Sequence, residues 1–170
     1  MQRLMPLLAF SALVAQQATL RVPEQRQFDF WLGDWEVSDP SGRVVGHNRI
    51  EAILGGKVIQ EHWRGAKGSS GTSLNAYLPG RRAWHQTWVD DQGEVLELSG
   101  GLVGASMVLE GRTPTGQGDR RERISWTPLP DGRVRQHWEQ SLDGGRTWTT
   151  AFEGVYRRLE TGVSGAAPRP

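Results

Sequence analysis

Apolar and polar residues alternate along most of this chain, and roughly every 8–15 residues a turn signal interrupts them. A side-chain period of two belongs to a β-strand, whose successive residues point to opposite faces. After residue 18 no stretch of about ten or more residues holds the 3.6 period of an amphipathic helix. The pattern therefore predicts an all-β chain.

The expected strands are Phe28–Ser38, Arg43–Leu54, Lys57–Arg64, Thr72–Leu78, Ala83–Asp90, Glu94–Ser99, Ser106–Gly111, Arg121–Thr127, Arg133–Gln140 and Trp148–Arg158. Between them lie Asp39-Pro40-Ser41-Gly42, Gly55-Gly56, Pro79-Gly80, Asp91-Gln92-Gly93 and Leu129-Pro130-Asp131-Gly132, where Pro presets φ and Gly accepts positive φ. Gly65–Gly71, Gly100–Gly104 and Thr113–Gly118 read as loops. About ten short strands joined by short turns predict a single antiparallel up-and-down β-barrel. The domain is expected over residues 24–160, with 161–170 as a disordered Pro/Gly/Ala tail.

Residues 1–18 stand apart. Arg3 precedes the apolar run Leu4–Val14, and small residues follow, with Ala15 and Ala18 as candidate cleavage edges. This is the layout of a signal peptide, and the run is shorter than the roughly 20 residues a membrane span needs. The expectation is a secreted or periplasmic bacterial protein with no membrane span once the signal is removed. The chain has no Cys, which excludes disulfides, a thiolate nucleophile and Cys-ligated metal sites. It carries 20 Lys+Arg against 19 Asp+Glu, and residues 1–18 contain one of those bases and no acid. A balanced charge with scattered Arg argues against a nucleic-acid partner.

Phe28-Asp29-Phe30-Trp31-Leu32-Gly33-Asp34-Trp35 resembles the opening of the DUF1579 family of bacterial proteins. Gly71–Tyr77, Trp84–Asp90 and Arg135–Ser141 carry further likeness. The resemblance implies a calycin-like (lipocalin-like) barrel and leaves the function open. Gly33-Asp34-Trp35 also resembles the Gly-x-Trp signature of lipocalins and nitrobindins, which implies that Trp35 closes one end of the barrel. Nitrobindins bind haem through a late histidine. Here Trp148–Arg158 has no His, and His137 faces out if its neighbour Trp138 faces in, so no haem or other cofactor is expected.

Ser141-Leu142-Asp143-Gly144-Gly145-Arg146-Thr147-Trp148 fits the Asp-box pattern Ser-x-Asp-x-Gly-x-Thr-Trp. The expected role is structural, a stiff hairpin in which Asp143 accepts turn N–H groups; the alternative is a glycan site.

Alternation sorts the strands into faces. Trp84, Gln86 and Trp88 share one face, as do Ser73, Asn75 and Tyr77, Ile59, Glu61 and Trp63, and Val134, Gln136 and Trp138. Aromatic walls with a few amides suit a small-molecule pocket inside a barrel. The candidate ligand-binding residues are Gln86, Trp88, Gln136, Trp138, Asn75, Tyr77, Glu61 and Trp63. No Gly-x-Ser-x-Gly elbow, His-Glu-x-x-His or P-loop is present, so no catalytic or metal-ligating residue is assigned. The function expected is an exported, non-catalytic carrier or sensor of a small apolar or amphipathic ligand. One alternative is an isomerase or hydrolase using an inward Glu or His, with Glu61 and Glu139 as a candidate carboxylate pair. The other is a structural or interaction module whose barrel is filled by side chains.

Overall fold

The computed structural model describes residues 22–159. The expected signal peptide and the expected C-terminal tail lie outside them. After two single-turn 3₁₀ helices, Glu24–Arg26 and Asp29–Trp31, come ten strands: β1 Gly33–Ser38, β2 Val44–Ile53, β3 Val58–Gly65, β4 Ser70–Leu78, β5 Ala83–Asp90, β6 Val95–Val103, β7 Ser106–Thr115, β8 Gly118–Pro128, β9 Val134–Ser141 and β10 Thr149–Arg158. Each pairs antiparallel with its sequence neighbours, and β10 returns to β1 through Trp35↔Arg158 and Val37↔Tyr156, closing the barrel. The chain is thus the up-and-down barrel that its alternation predicted.

Closure removes both sheet edges and gives every strand an inside. The inward positions include Trp35 and Val37 of β1, Ile59 of β3, Trp84 of β5, Leu96 and Leu98 of β6, Met107 and Leu109 of β7, and Trp126 of β8, all essentially inaccessible to solvent. Outward positions carry charge. Arg123 meets Glu139 at 3.0 Å, Arg135 meets Glu153 at 2.7 Å and Arg157 meets Glu36 at 2.8 Å, each across neighbouring strands. Such cross-strand pairs contribute little individually and keep the outer face polar.

One end is plugged. The stretch expected as strand from Phe28 begins with a 3₁₀ turn, because Phe28 and Trp31, three residues apart, fall on the same side and enter the barrel together. Their rings stack at 4.9 Å, and Phe28 meets Trp126 at 5.2 Å and Trp84 at 5.7 Å edge-on. Trp35 seals this end from β1: its Nε1 donates to Trp31 O at 2.9 Å, and the Arg158 guanidinium lies 4.3 Å from its ring centroid.

Three expected loops are shorter than predicted. Ser70 and Gly71 belong to β4, β6 continues through Gly100 and Gly101 to Val103, and β7 and β8 extend to Thr115 and from Gly118. At Gly100 the backbones of β6 and β7 run so close that a Cβ would stand 2.1 Å from Val108 O. There glycine permits close strand approach where the sequence suggested a break.

Candidate functional site

The plug fills only half of the barrel. Towards the end formed by the β1–β2, β3–β4, β5–β6, β7–β8 and β9–β10 turns lies a cavity of about 230 Å³. Its walls are Trp63, Trp88, Trp138, Phe152, Leu96 and Ile124; Glu61, Gln86, Gln136 and Tyr156 supply polar groups, and Trp126 separates it from the plug. Sites for drug-sized ligands typically measure about 300–1,000 Å³, whereas a cavity of about 150 Å³ takes benzene. The space therefore suits a molecule of about one ring.

Two glycines make room for the walls. A Cβ on Gly46 of β2 would stand 2.4 Å from Cη2 of Trp63, and one on Gly71 of β4 would stand 2.3 Å from Cη2 of Trp88. Each indole thus lies against bare backbone of the neighbouring strand and leaves the centre of the lumen open. Trp63 also meets Phe152 edge-on at 6.1 Å.

The floor is a chain of hydrogen bonds across four consecutive strands and β9–β10. Gln86 Nε2 donates to Asn75 Oδ1 at 2.7 Å, and Asn75 Nδ2 donates to Ser73 Oγ at 2.9 Å. Ser73 Oγ donates to Glu61 Oε2 at 2.7 Å, and Asn48 Nδ2 donates to Glu61 Oε1 at 2.7 Å. Asn48 Nδ2 also reaches the Tyr156 hydroxyl oxygen at 3.4 Å, and that hydroxyl donates to Gln136 Oε1. Glu61 is 5% exposed. Burial raises its pKa from 4.5 to about 7, against the lowering effect of Ser73 and Asn48. Tyr156 is pushed up by burial and by the Glu61 charge, so it remains protonated.

A second buried carboxylate lies nearer the open rim. Glu122, fully buried, accepts from Trp138 Nε1 at 2.7 Å and from Arg120, which also bonds Glu94. The indole N–H and the guanidinium compensate the desolvation of Glu122 and hold the Trp138 wall.

The chain matches no family model, and no curated protein aligns with it significantly.

Of the eight candidate residues, Glu61, Trp63, Gln86, Trp88, Gln136 and Trp138 line the cavity together. Asn75 is fully buried behind the floor and holds Gln86 in place. Tyr77 lies at the plugged end, edge-on to Trp84 at 6.2 Å, away from the cavity lining. The carboxylate pair does not form: Glu61 points into the lumen and Glu139 points outward to Arg123, because they occupy opposite phases of their strands.

The four histidines face outward. His62 bonds Glu51 at 2.9 Å, His85 bonds Ser99 at 3.1 Å, His137 bonds Thr150 at 3.0 Å, and His47 stands 4.0 Å from Glu36. Among the described residues no group of three or more His, Cys, Asp or Glu gathers to hold a metal.

Sequence reasoning missed Tyr156, Phe152 and Glu122. Phe152, Gly154 and Tyr156 alternate onto one side of β10, beyond the register shift between Thr150 and Phe152, so their common face was open to the same phase argument. Glu122 sits within Arg120-Arg121-Glu122-Arg123, a run that reads as a solvated face. The available signal was phase: Glu122, Ile124 and Trp126 alternate onto one side.

The Asp-box closes on itself. Asp143 Oδ1 accepts from the N–H groups of Arg146 and Thr147, both at 2.9 Å, and Asp143 Oδ2 accepts from Thr147 Oγ1 at 2.6 Å. Gly144 and Gly145 adopt φ of 76° and 92°, and Arg123 stacks 4.1 Å from the Trp148 ring centroid. The Asp143 carboxylate is thereby used within the hairpin.

Proposed function

We propose that this protein is an exported, DUF1579-like barrel that binds a small amphipathic molecule in the open half of its lumen. The observation that carries the reading is the cavity of about 230 Å³, with aromatic walls and a buried hydrogen-bonded floor. Trp63, Trp88, Trp138 and Phe152 bury the apolar part, while Glu61, Gln86 and Gln136 orient the polar end. Burying about 150 Å² of apolar ligand surface contributes on the order of 4 kcal/mol before association costs. Polar and charged contacts at the floor supply the remainder, and the affinity expected is micromolar or weaker. Export is supported by the layout of residues 1–18.

Native mass spectrometry of the mature protein, purified from its own host, tests the reading. A bound molecule of about one ring that is lost on Gly71→Ala supports it. An empty protein that also fails to bind single-ring probes overturns it.

One observation favours an enzyme instead. Glu61 is a buried carboxyl with a pKa of about 7 beside an open cavity, which suits a general acid or base near neutrality. Conversion of the co-purified molecule by the native protein, abolished by Glu61→Gln, would select this reading over a carrier.

A further inference from the structure

We propose that the ligand of the lumen is a small organic cation, a protonated amine on a ring or short chain, seated with its ammonium on Glu61 and its apolar part between the Trp63, Trp88 and Trp138 indoles. The inference rests on the lumen-binding reading and adds the charge of the ligand.

Three features of the cavity converge on a cation. The first is the sign of the charges. Among the described residues no Lys, Arg or His lines the cavity, and its one carboxyl group belongs to Glu61. The inward Arg120 is engaged by Glu122 and Glu94. An anionic head, such as that of a fatty acid, would find no free cation and would meet the Glu61 carboxylate.

The second is the direction of the floor hydrogen bonds. Ser73 Oγ and one N–H of Asn48 are spent on Glu61, the Tyr156 hydroxyl is spent on Gln136, and an N–H of Gln86 is spent on Asn75. A carboxylate has about four acceptor sites, and two are used, so Glu61 retains acceptor capacity. Asn48 lies behind Glu61 and does not line the cavity, so the carboxylate itself is the acceptor the floor offers to a ligand. An ammonium brings up to three donors to such a floor.

The third is the wall. Indole faces attract cations, and more strongly where water is excluded. Gly46 and Gly71 seat Trp63 and Trp88 back against the barrel wall, leaving a space between the rings for the ligand. A purely apolar ligand would cover Glu61 without adding a donor to the two it has from Ser73 and Asn48, which disfavours the ionised carboxylate.

Glu61 is surrounded by neutral groups: Asn48 from β2, Ser73 from β4 and protonated Tyr156 from β10. A cation therefore sets the charge state of Glu61 itself. With the pKa of the empty site near 7, cation binding below that pH must displace a proton, and the affinity should fall about tenfold per pH unit.

Titration calorimetry with benzylammonium, benzyl alcohol and benzoate tests the proposal, because the three share a ring and differ in charge. At about pH 8 benzylammonium should bind at least tenfold tighter than benzyl alcohol, and benzoate should bind weakest. The preference should vanish in Glu61→Gln and weaken as the pH falls below about 7. Equal binding of benzylammonium and benzyl alcohol would overturn the cation while leaving the lumen reading intact. A cation preference that survives Glu61→Gln would overturn the seat on Glu61. Failure of all three probes to bind would overturn this proposal and the lumen reading together. The pH arm on the native protein reads the same carboxylate charge without a substitution, so a preference that does not weaken below about pH 7 overturns the seat on Glu61 even where Glu61→Gln fails to fold.

Discussion

The indole of Trp88 occupies the space that a β-carbon on Gly71 would need: such a carbon would stand 2.3 Å from both Cη2 and Cζ2 of the ring. The backbone of Gly71 has no positive φ, so alanine is conformationally acceptable there; the ring must give way, and the backbone oxygen of Val89, 3.0 Å from that carbon, must yield slightly. Gly71→Ala should push Trp88 into the lumen; Gly46→Ala should displace Trp63 and also strain the β2–β3 pairing, because its Cβ would stand 2.6 Å from the backbone oxygen of Arg64. A crystal structure of either variant checks this; an unmoved ring and an unchanged cavity would refute it.

Glu61 links the cavity floor to stability. Its pKa is raised on folding, so the folded state holds the proton more tightly than the unfolded chain. Its favourable contribution is complete below about pH 4.5 and is lost as the pH rises through about 7, an effect on the order of 3 kcal/mol. Urea unfolding of the native protein and of Glu61→Gln between about pH 5 and pH 8 should show the native protein losing stability relative to the variant. Parallel pH profiles would mean that Glu61 does not titrate in this range.

Phe28 is the centre of the plug and touches Phe30, Trp31, Trp84 and Trp126. Truncation to alanine removes a fully buried ring and should cost about 3–5 kcal/mol, read from denaturant midpoints. A loss below about 1 kcal/mol would show that the closed end does not depend on this ring.

Arg120 compensates the buried Glu122. Arg120→Met alone leaves that carboxylate with Trp138 Nε1 as its remaining side-chain donor and should cost about 3 kcal/mol. Combining it with Glu122→Gln, which preserves an acceptor for Trp138, should recover most of the loss. Additive costs in the double-mutant cycle would contradict the pairing.

Asp143 organises the β9–β10 hairpin, and its hydrogen bonds to Thr147, Ser141 and Arg146 hold its pKa well below the usual carboxylate range. What it contributes is present above about pH 4 and declines as the pH falls through its lowered value. Asp143→Ala should speed hydrogen exchange at the amides of Arg146 and Thr147 while leaving the floor around Glu61 protected. Uniform deprotection across the barrel would instead mark the hairpin as part of the global folding unit.

The strands were legible because a strand's phase is local. In Trp84–Trp88 and Ile59–Trp63, alternation alone places one set of side chains on a common face, and closure turns that face inward. Glu61, Gln86 and Gln136 could thus be selected from sequence as polar residues in phase with tryptophans. Phe152 and Tyr156 also share a phase, with Gly154 between them, but alternation alone does not say that this face of β10 meets Trp63 and Gln136; that follows from closure of the barrel.

By itself the sequence determined an all-β chain, its turns, and which residues of most strands share a face; these follow from neighbours along the backbone. Only the tertiary structure decided how deep each residue lies and which half of the lumen stays open. Depth depends on the β1–β10 register that sets Val37 opposite Tyr156, on Phe28 and Trp31 entering one end, and on which indole meets which glycine. Those relations join residues distant in sequence. Burial and charge state at Glu61 follow from them, because a carboxyl is desolvated by whatever closes around it, wherever in the chain that material begins.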